Sequence, residues 1–321
     1  MKKVLFATTA LVMTAGAAAA EVAVSGTGRM GVIYDGDDMQ FSSRARVIFT
    51  LTGESDAGLS FGGSFRADNA GNANQGIAGH VYVSGTYGKL SMGDVASASE
   101  EAIGDLYSVG YTDTTFAGDV EEISYLTADG ENLDQGPNAL YEYTMDQISI
   151  YASMSDGSDN VKCGLGAIVG SDPVCDVEGD DIDSDVAYSL AAKYSADNFS
   201  AGLGYAKQGD ASEIVLGGEG KFNNFAVKGI FAKYDDRFID DLEFKHTVGV
   251  SASYQADAIL VKGFFRQDKW TEVATGDTMK MDSWGIGADY DLGGGAVLAG
   301  GIVDSDSLND TVADLGVKFK F

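Results

Sequence analysis

The sequence predicts an all-β chain: a transmembrane antiparallel β-barrel of about sixteen strands, with a long third loop folded into the bore. Three observations lead there. Segments of about ten residues alternate apolar and polar side chains along most of the chain, which is the period of a strand with two unlike faces. The connections between them alternate short and long, as when turns gather at one end of a barrel and loops at the other. After the N-terminal leader no stretch reaches the roughly 18 apolar residues of a spanning helix, and a closed barrel is the other form that satisfies its backbone in lipid.

Composition agrees. The 321 residues include 43 glycines, 16 phenylalanines and 15 tyrosines but only 2 prolines, which suits many strands joined by tight turns. A formal net charge of −28 repels phosphate backbones and argues against a nucleic-acid partner.

Taken in order, the chain opens on an address. Lys2 and Lys3 precede a short apolar run, Val4 to Met13, and Ala18-Ala19-Ala20 forms a small-residue cleavage site before Glu21. Residues 1–20 read as a secretory signal peptide and 21–321 as one barrel domain. Glu21 to Tyr34 then alternates, with Val22, Val24, Met30, Val32 and Tyr34 on one parity and Ser25, Thr27 and Arg29 on the other. Phe41 to Thr52 sets Phe41, Ala45, Val47, Phe49 and Leu51 against Ser42, Arg44, Arg46 and Thr50. A third strand opposes Leu59, Phe61 and Phe65 to Ser60, Ser64 and Arg66. Val81 to Tyr87 and the short Leu90 to Met92 follow.

Val95 to Pro137 is too long for a turn, has no Lys or Arg, and carries ten carboxylates together with Tyr107, Tyr111, Phe116, Tyr125 and Leu126. Loops beyond about 12–15 residues inside a domain are usually functional or disordered, and the aromatics argue against disorder. Two strands, Leu140 to Met145 and Ile148 to Met154, precede a second acidic loop, Ser155 to Asp185. Nine further strands run from Val186 to Phe321. Their longer connections are expected at Gln208 to Glu213, Asp235 to Glu243, Thr271 to Met281 and Asp304 to Thr311. Lys193, Lys228, Lys245, Lys262, Arg266, Lys318 and Lys320 sit on the polar parity. Lys207 and Lys233 break it at strand ends, where a lipid-facing charge costs little.

Several segments carry a family likeness: Gly28-Arg29-Met30-Gly31-Val32, Phe41 to Val47, Gly104 to Asp113, and the tail Val312 to Phe321. They resemble the general diffusion porins of Rhodobacter and its relatives, over the whole mature chain. The resemblance implies a Gram-negative outer-membrane channel without enzymatic activity, passing ions and small hydrophilic solutes, assembled as a homotrimer and surrounded by outer-membrane lipid and lipopolysaccharide.

Arg29, Arg44, Arg46 and Arg66 share the polar parity of the first three strands, so they are expected to form one basic strip on the inner wall. An acidic loop facing that strip sets a transverse field where the bore is narrow. The arrangement resembles the family's eyelet, with Glu100, Glu101, Asp105, Asp113 and Asp119 as the expected acidic side. Past Thr114 the loop departs from the family pattern, so Glu121 and Glu122 stay outside the expected set. The net charge predicts a mild cation preference. The bland reading of each arginine is a solvated charge on an outer face.

Other signals are weaker. Cys163 and Cys175 are disulfide candidates in one exported loop, with two free thiols as the alternative. No cofactor is required, although the resemblance allows Ca²⁺ near the loop with Glu100 contributing. His80 and His246 neighbour no obvious nucleophile, which argues against a barrel hydrolase. A substrate-specific outer-membrane channel and an exported acidic calcium-binding or adhesive β-protein remain the alternative readings.

Overall fold

A computed structural model describes residues 21–68, 79–126, 138–155, 185–239, 241–308 and 310–321, and the backbone alone of 168–169 and 172–173. The strands are β1 (Glu21–Tyr34), β2 (Met39–Glu54), β3 (Ser60–Asp68), β4 (Gly79–Gly85), β5 (Gly88–Gly93), β6 (Asn138–Met145), β7 (Ile148–Ser155) and β8 (Ala187–Ser195). They continue as β9 (Phe199–Gln208), β10 (Ala211–Phe222), β11 (Phe225–Asp235), β12 (Leu242–Ala256), β13 (Ile259–Glu272), β14 (Thr278–Gly293), β15 (Ala296–Ser305) and β16 (Val312–Lys320). A two-residue piece, Phe238–Ile239, prolongs β11 along the same partner, so the 17-stranded sheet is a barrel of sixteen strands. A separate pair joins 168–169 to 172–173.

Each strand pairs antiparallel with its neighbour in sequence, and the ring closes when β16 returns to β1 with Met30 opposite Val317 and Tyr34 opposite Ala313. Gly26 and Phe321 exchange both backbone hydrogen bonds, at 2.7 and 3.0 Å. Closure leaves no free edge to recruit another strand. Among the described residues no helix is long and apolar enough to cross a membrane.

The two faces differ as period two requires. On β14, Trp284, Ile286 and Tyr290 are exposed while Ser283, Gly285 and Gly287 are buried. The same alternation leaves Leu203 and Tyr205, Leu216, Phe231, Val248 and Val250 uncovered on successive strands. A continuous apolar belt of that extent is untenable against water and natural against hydrocarbon.

The buried core lies on the opposite face. Val95, Ile103, Leu106, Val109, Ile123 and Tyr125 of the long β5–β6 connection pack with Val215, Ile230, Tyr234, Phe244, Phe264 and Val303 of the wall. The connection opens with one short helix, α1 (Ala98–Ile103). Ser97 caps it by accepting from the Glu100 N–H, Glu100 and Glu101 occupy its first turn, and Gly104 ends it at φ 65. The helix lies against β7, β8, β9 and β10.

Two local expectations are corrected. The Gln208 to Glu213 connection is only the tight turn Gly209–Asp210, because Gly209 takes φ 55 and lets β9 and β10 pair from Gln208–Ala211 onward. On β12 the register shifts between Phe244 and His246, with Lys245 as the extra residue. Strict alternation would turn Phe244 outward. The bulge turns it inward instead, to stack on Tyr234 and Trp270 at 4.4 and 4.1 Å. Residues 1–20, Cys163, Cys175 and the part of the long connection from 127 to 137 lie outside the described residues.

Candidate functional site

The four expected arginines do share a face. Directly paired residues on neighbouring strands point the same way. Arg29 stands opposite Arg44 across β1–β2, Arg46 opposite Asp68 across β2–β3, and Arg66 opposite Ile48, which has the parity of Arg44 and Arg46. Their roles differ. Arg46 forms a two-pronged pair with Asp68, Nε to Oδ1 at 2.7 Å and Nη2 to Oδ2 at 2.8 Å. Arg29 Nη1 donates to the Thr112 carbonyl at 2.7 Å. Arg44 makes no ion pair among the described residues; Asp68 and Asp113 supply the nearest opposing fields, against Arg29 and Arg46.

The five expected carboxylates do not form one row. Asp113 and Asp119 lie on the basic side: Asp113 pairs with Lys318 of β16 at 2.7 Å, and Asp119 sits in the field of Arg29. Asp105 accepts the Ile123 N–H at 2.7 Å, tying two limbs of the connection together, and faces Lys228 and Arg266. Glu101 faces Glu142, Lys89 and Lys193 on β6, β5 and β8, and Glu100 shares its helical turn. Burial pushes the carboxyls of Asp105, Asp119 and Glu101 up; for Glu101 the neighbouring Glu142 adds to it. Glu121 goes furthest, to about 8: burial is the main cause, and Asp119 and Glu122 add to it.

Four anchors outside the expected site residues hold the connection to the wall. Asp314 of β16 accepts the Tyr111 and Thr112 N–H groups at 3.2 and 2.9 Å and the Thr112 hydroxyl at 2.8 Å. Arg266 of β13 donates to the carbonyls of Glu122 and Val120 while pairing with Asp268. Arg237 donates to the carbonyls of Ser124 and Tyr125 and lies over the rings of Tyr234 and Phe244, and Glu213 receives the Leu126 N–H at 2.6 Å. Polar parity marked Arg266 as inward-facing, but only the fold reveals what it holds.

Glycine provides the seat. Side chains of the connection rest where wall residues lack a Cβ: Ile103 over Gly202 and Gly217, Leu106 over Gly249, Val109 over Gly287 and Tyr111 over Gly316. A Cβ on Gly249 would stand 2.6 Å from Leu106 Cδ1, and one on Gly316 would stand 2.8 Å from the Tyr111 ring. These glycines lie on β9, β10, β12, β14 and β16, all on the face opposite the apolar belt.

Among the described residues no group of three or more His, Cys, Asp and Glu is arranged to hold a metal ion, so calcium at Glu100 gains no support from its surroundings.

Comparison with known proteins gives one consistent result. The model of a family described as Gram-negative porin matches residues 7–310. A porin of Rhodobacter capsulatus is 39% identical over 320 residues, covering 94% of this chain and 100% of the relative. A porin of Fuscovulum blasticum is 28% identical over 323 residues, with the same coverage. Among solved structures, a porin refined at 1.8 Å superposes with a TM-score of 0.76 at 37% identity, covering 94% of this chain and 100% of that one.

Proposed function

From the premise that the chain belongs to the Gram-negative porin family, we propose that its bore passes ions and small hydrophilic solutes by passive diffusion, with a mild preference for cations. The protein is an outer-membrane channel and not an enzyme. A channel of this kind requires no cofactor.

In this reading the β5–β6 connection narrows the bore, and its charges share the conducting space with the arginine strip. The supporting observation is the placement of residues 111–119. That limb is bonded to Asp314 and Lys318 of β16 and to Arg29 of β1, which brings Asp113 and Asp119 beside Arg29 and Arg44. Fixed charges of both signs close together in a low-dielectric throat orient a dipolar solute, and an apolar solute would have to displace ordered water there. Glu100, Glu101 and Asp105 contribute negative potential from elsewhere in the bore, and the net charge of −28 sets the overall sign.

The experiment is a zero-current potential across a planar bilayer in a potassium chloride gradient. The expected sign is cation-selective, weakening toward 1 M salt, where the Debye length is about 3 Å. Anion selectivity would count against the charge assignment. The same reading includes export directed by residues 1–20 and assembly as a homotrimer; N-terminal sequencing of the mature protein and cross-linking in detergent test these two points.

A further inference from the structure

Near the short turns, four polar residues stand in one line across neighbouring strands. Ser60 of β3 is opposite Ser84 of β4, Ser84 is opposite Lys89 of β5, and Lys89 is opposite Glu142 of β6. All four have the parity opposite to Phe61, Val83, Leu90 and Tyr141, which are exposed on the apolar belt, so they face the bore. Neighbouring strands lie about 4.8 Å apart, so the line presents two hydroxyls, an ammonium and a carboxylate at regular steps. It is separate from the arginine strip: Arg66 lies further along β3, toward the long-loop end.

The strands around this line end at different heights. The β4–β5 hairpin turns one residue past Ser84 and Lys89, where Gly85 pairs with Gly88. The neighbouring β6–β7 hairpin continues to Met145 opposite Ile148. The difference leaves a hollow of ≈ 530 Å³ in the rim, lined by Ser60, Ser84, Lys89, Glu142 and Thr144. Small-molecule sites measure about 300–1,000 Å³. Short turns mark the periplasmic end of such barrels, so the hollow lies where a solute leaves the bore.

Its polar groups are held in place by the wall. The Lys89 ammonium is bound to Glu142 at 2.9 Å and stands 5.5 Å from the centre of the Tyr82 ring. Tyr82 leans on β3: a Cβ on Gly62 would stand 2.8 Å from its hydroxyl. Both charged side chains remain reachable from the bore, Lys89 at 41% and Glu142 at 23% exposure. The mixed charge sorts solutes by sign. An anion meets Glu142 and the neighbouring Glu101 of α1, and a cation meets Lys89. A neutral molecule with several hydroxyls meets neither cost: its O–H groups donate to the carboxylate and its oxygens accept from the ammonium and the serines.

We propose that this hollow is a binding subsite for a neutral polyhydroxylated solute of the sugar class. Its hydroxyls are held between Glu142 and Lys89, with Ser60 and Ser84 completing the bonds. The inference rests on the channel reading and adds a station on the periplasmic side of the constriction, with a preference for one solute chemistry.

The test titrates purified full-length protein with maltose, read by sugar-observed saturation-transfer NMR in detergent and by single-channel conductance in a planar bilayer. Both signals should saturate, at the same half-saturating concentration. A polyethylene glycol of equal mass should lower conductance in proportion to its concentration, with no plateau. Glu142→Gln should raise the half-saturating concentration about tenfold, the scale of one charge-assisted hydrogen bond. Ser84→Ala should raise it about fivefold, the scale of one neutral bond, and carries the test should Glu142→Gln fail to fold. Lys233→Gln, on the outer face with Phe231, should leave it unchanged. An unchanged value in Ser84→Ala and in folded Glu142→Gln would overturn the site. So would a rise confined to Arg44→Ala, which would put the sugar at the constriction, or binding of gluconate on equal terms with maltose. Channel activity without saturable maltose binding would overturn the subsite alone. Saturable binding by a protein that forms no channel would contradict the channel reading and leave the subsite standing.

Discussion

Arg44 and Arg46 are two residues apart on one face of β2 and should respond differently to removal. Arg46 is bound through two hydrogen bonds to Asp68, whose side chain is 7% exposed. Arg46→Ala takes both hydrogen bonds from that carboxylate and should lower barrel stability by about 2 kcal/mol, read from the denaturant midpoint in detergent. Arg44→Ala removes a charge that no carboxylate holds, so stability should stay near that of the parent while the zero-current potential moves toward cations. Glu121 gives the pH dependence. Its carboxyl titrates near 8 when folded, against an ordinary value of 4.5. Between those values the folded protein keeps a proton that the unfolded chain has lost. The contribution to loop anchoring is therefore complete below about pH 4.5 and is lost as pH rises through about 8. Current noise from loop excursions should grow over that window, and Glu121→Gln should remove the dependence; equal noise growth in that variant would place the titration elsewhere. The arginine strip was legible because period two and strand register are local properties of Arg29, Arg44, Arg46 and Arg66. Glu121 was not, because its burial comes from the way the connection folds on itself and on the wall, and the residues around it give no periodic signal.

The β5–β6 connection is held by seats that the wall supplies. Gly249 admits Leu106, and Gly202 and Gly217 admit Ile103. Gly249→Val should cost about 1–3 kcal/mol of docking by overpacking, displace the middle of the connection and change single-channel conductance. The barrel itself should remain folded by circular dichroism, since the Cβ at that position meets only Leu106 among its nearest neighbours. An unchanged conductance would show that Leu106 does not fix the aperture. At this scale several strands were readable almost to their ends: β1, Glu21–Tyr34, was expected with the same bounds, and β7 runs one residue past the expected Ile148 to Met154. What escaped was irregularity. The shift at Lys245 depends on a partner strand, and it is justified only by the Tyr234–Phe244–Trp270 stack that it completes. The abundance of glycine suggested turns; several glycines serve instead as a bed for side chains from a distant segment, which composition cannot distinguish.

The whole molecule is a wall whose two faces meet different solvents. Closure of β16 on β1 makes the inside and outside distinct, the apolar belt commits the outside to lipid, and the inner face carries most of the fixed charge of the strands, with outward charges such as Lys207, Lys269 and Lys280 confined to strand ends. The sign and the sidedness of that charge are where sequence and fold meet: Arg29, Arg44 and Arg46 come from the wall, while Asp113 and Asp119 arrive from a connection anchored more than a hundred residues of chain away at Asp314 and Lys318. The shared face of the four arginines follows from alternation alone, but which wall residues each of the five acids faces needed the path of the connection. The most direct measurement is the zero-current potential of the Asp113→Asn, Asp119→Asn double variant beside the parent protein in the same potassium chloride gradient. If these carboxylates share the conducting space with the arginine strip, their loss shifts the potential toward anion selectivity, and most strongly at low salt. A potential equal to that of the parent at every salt concentration would put both carboxylates outside the path of the ions and contradict the account.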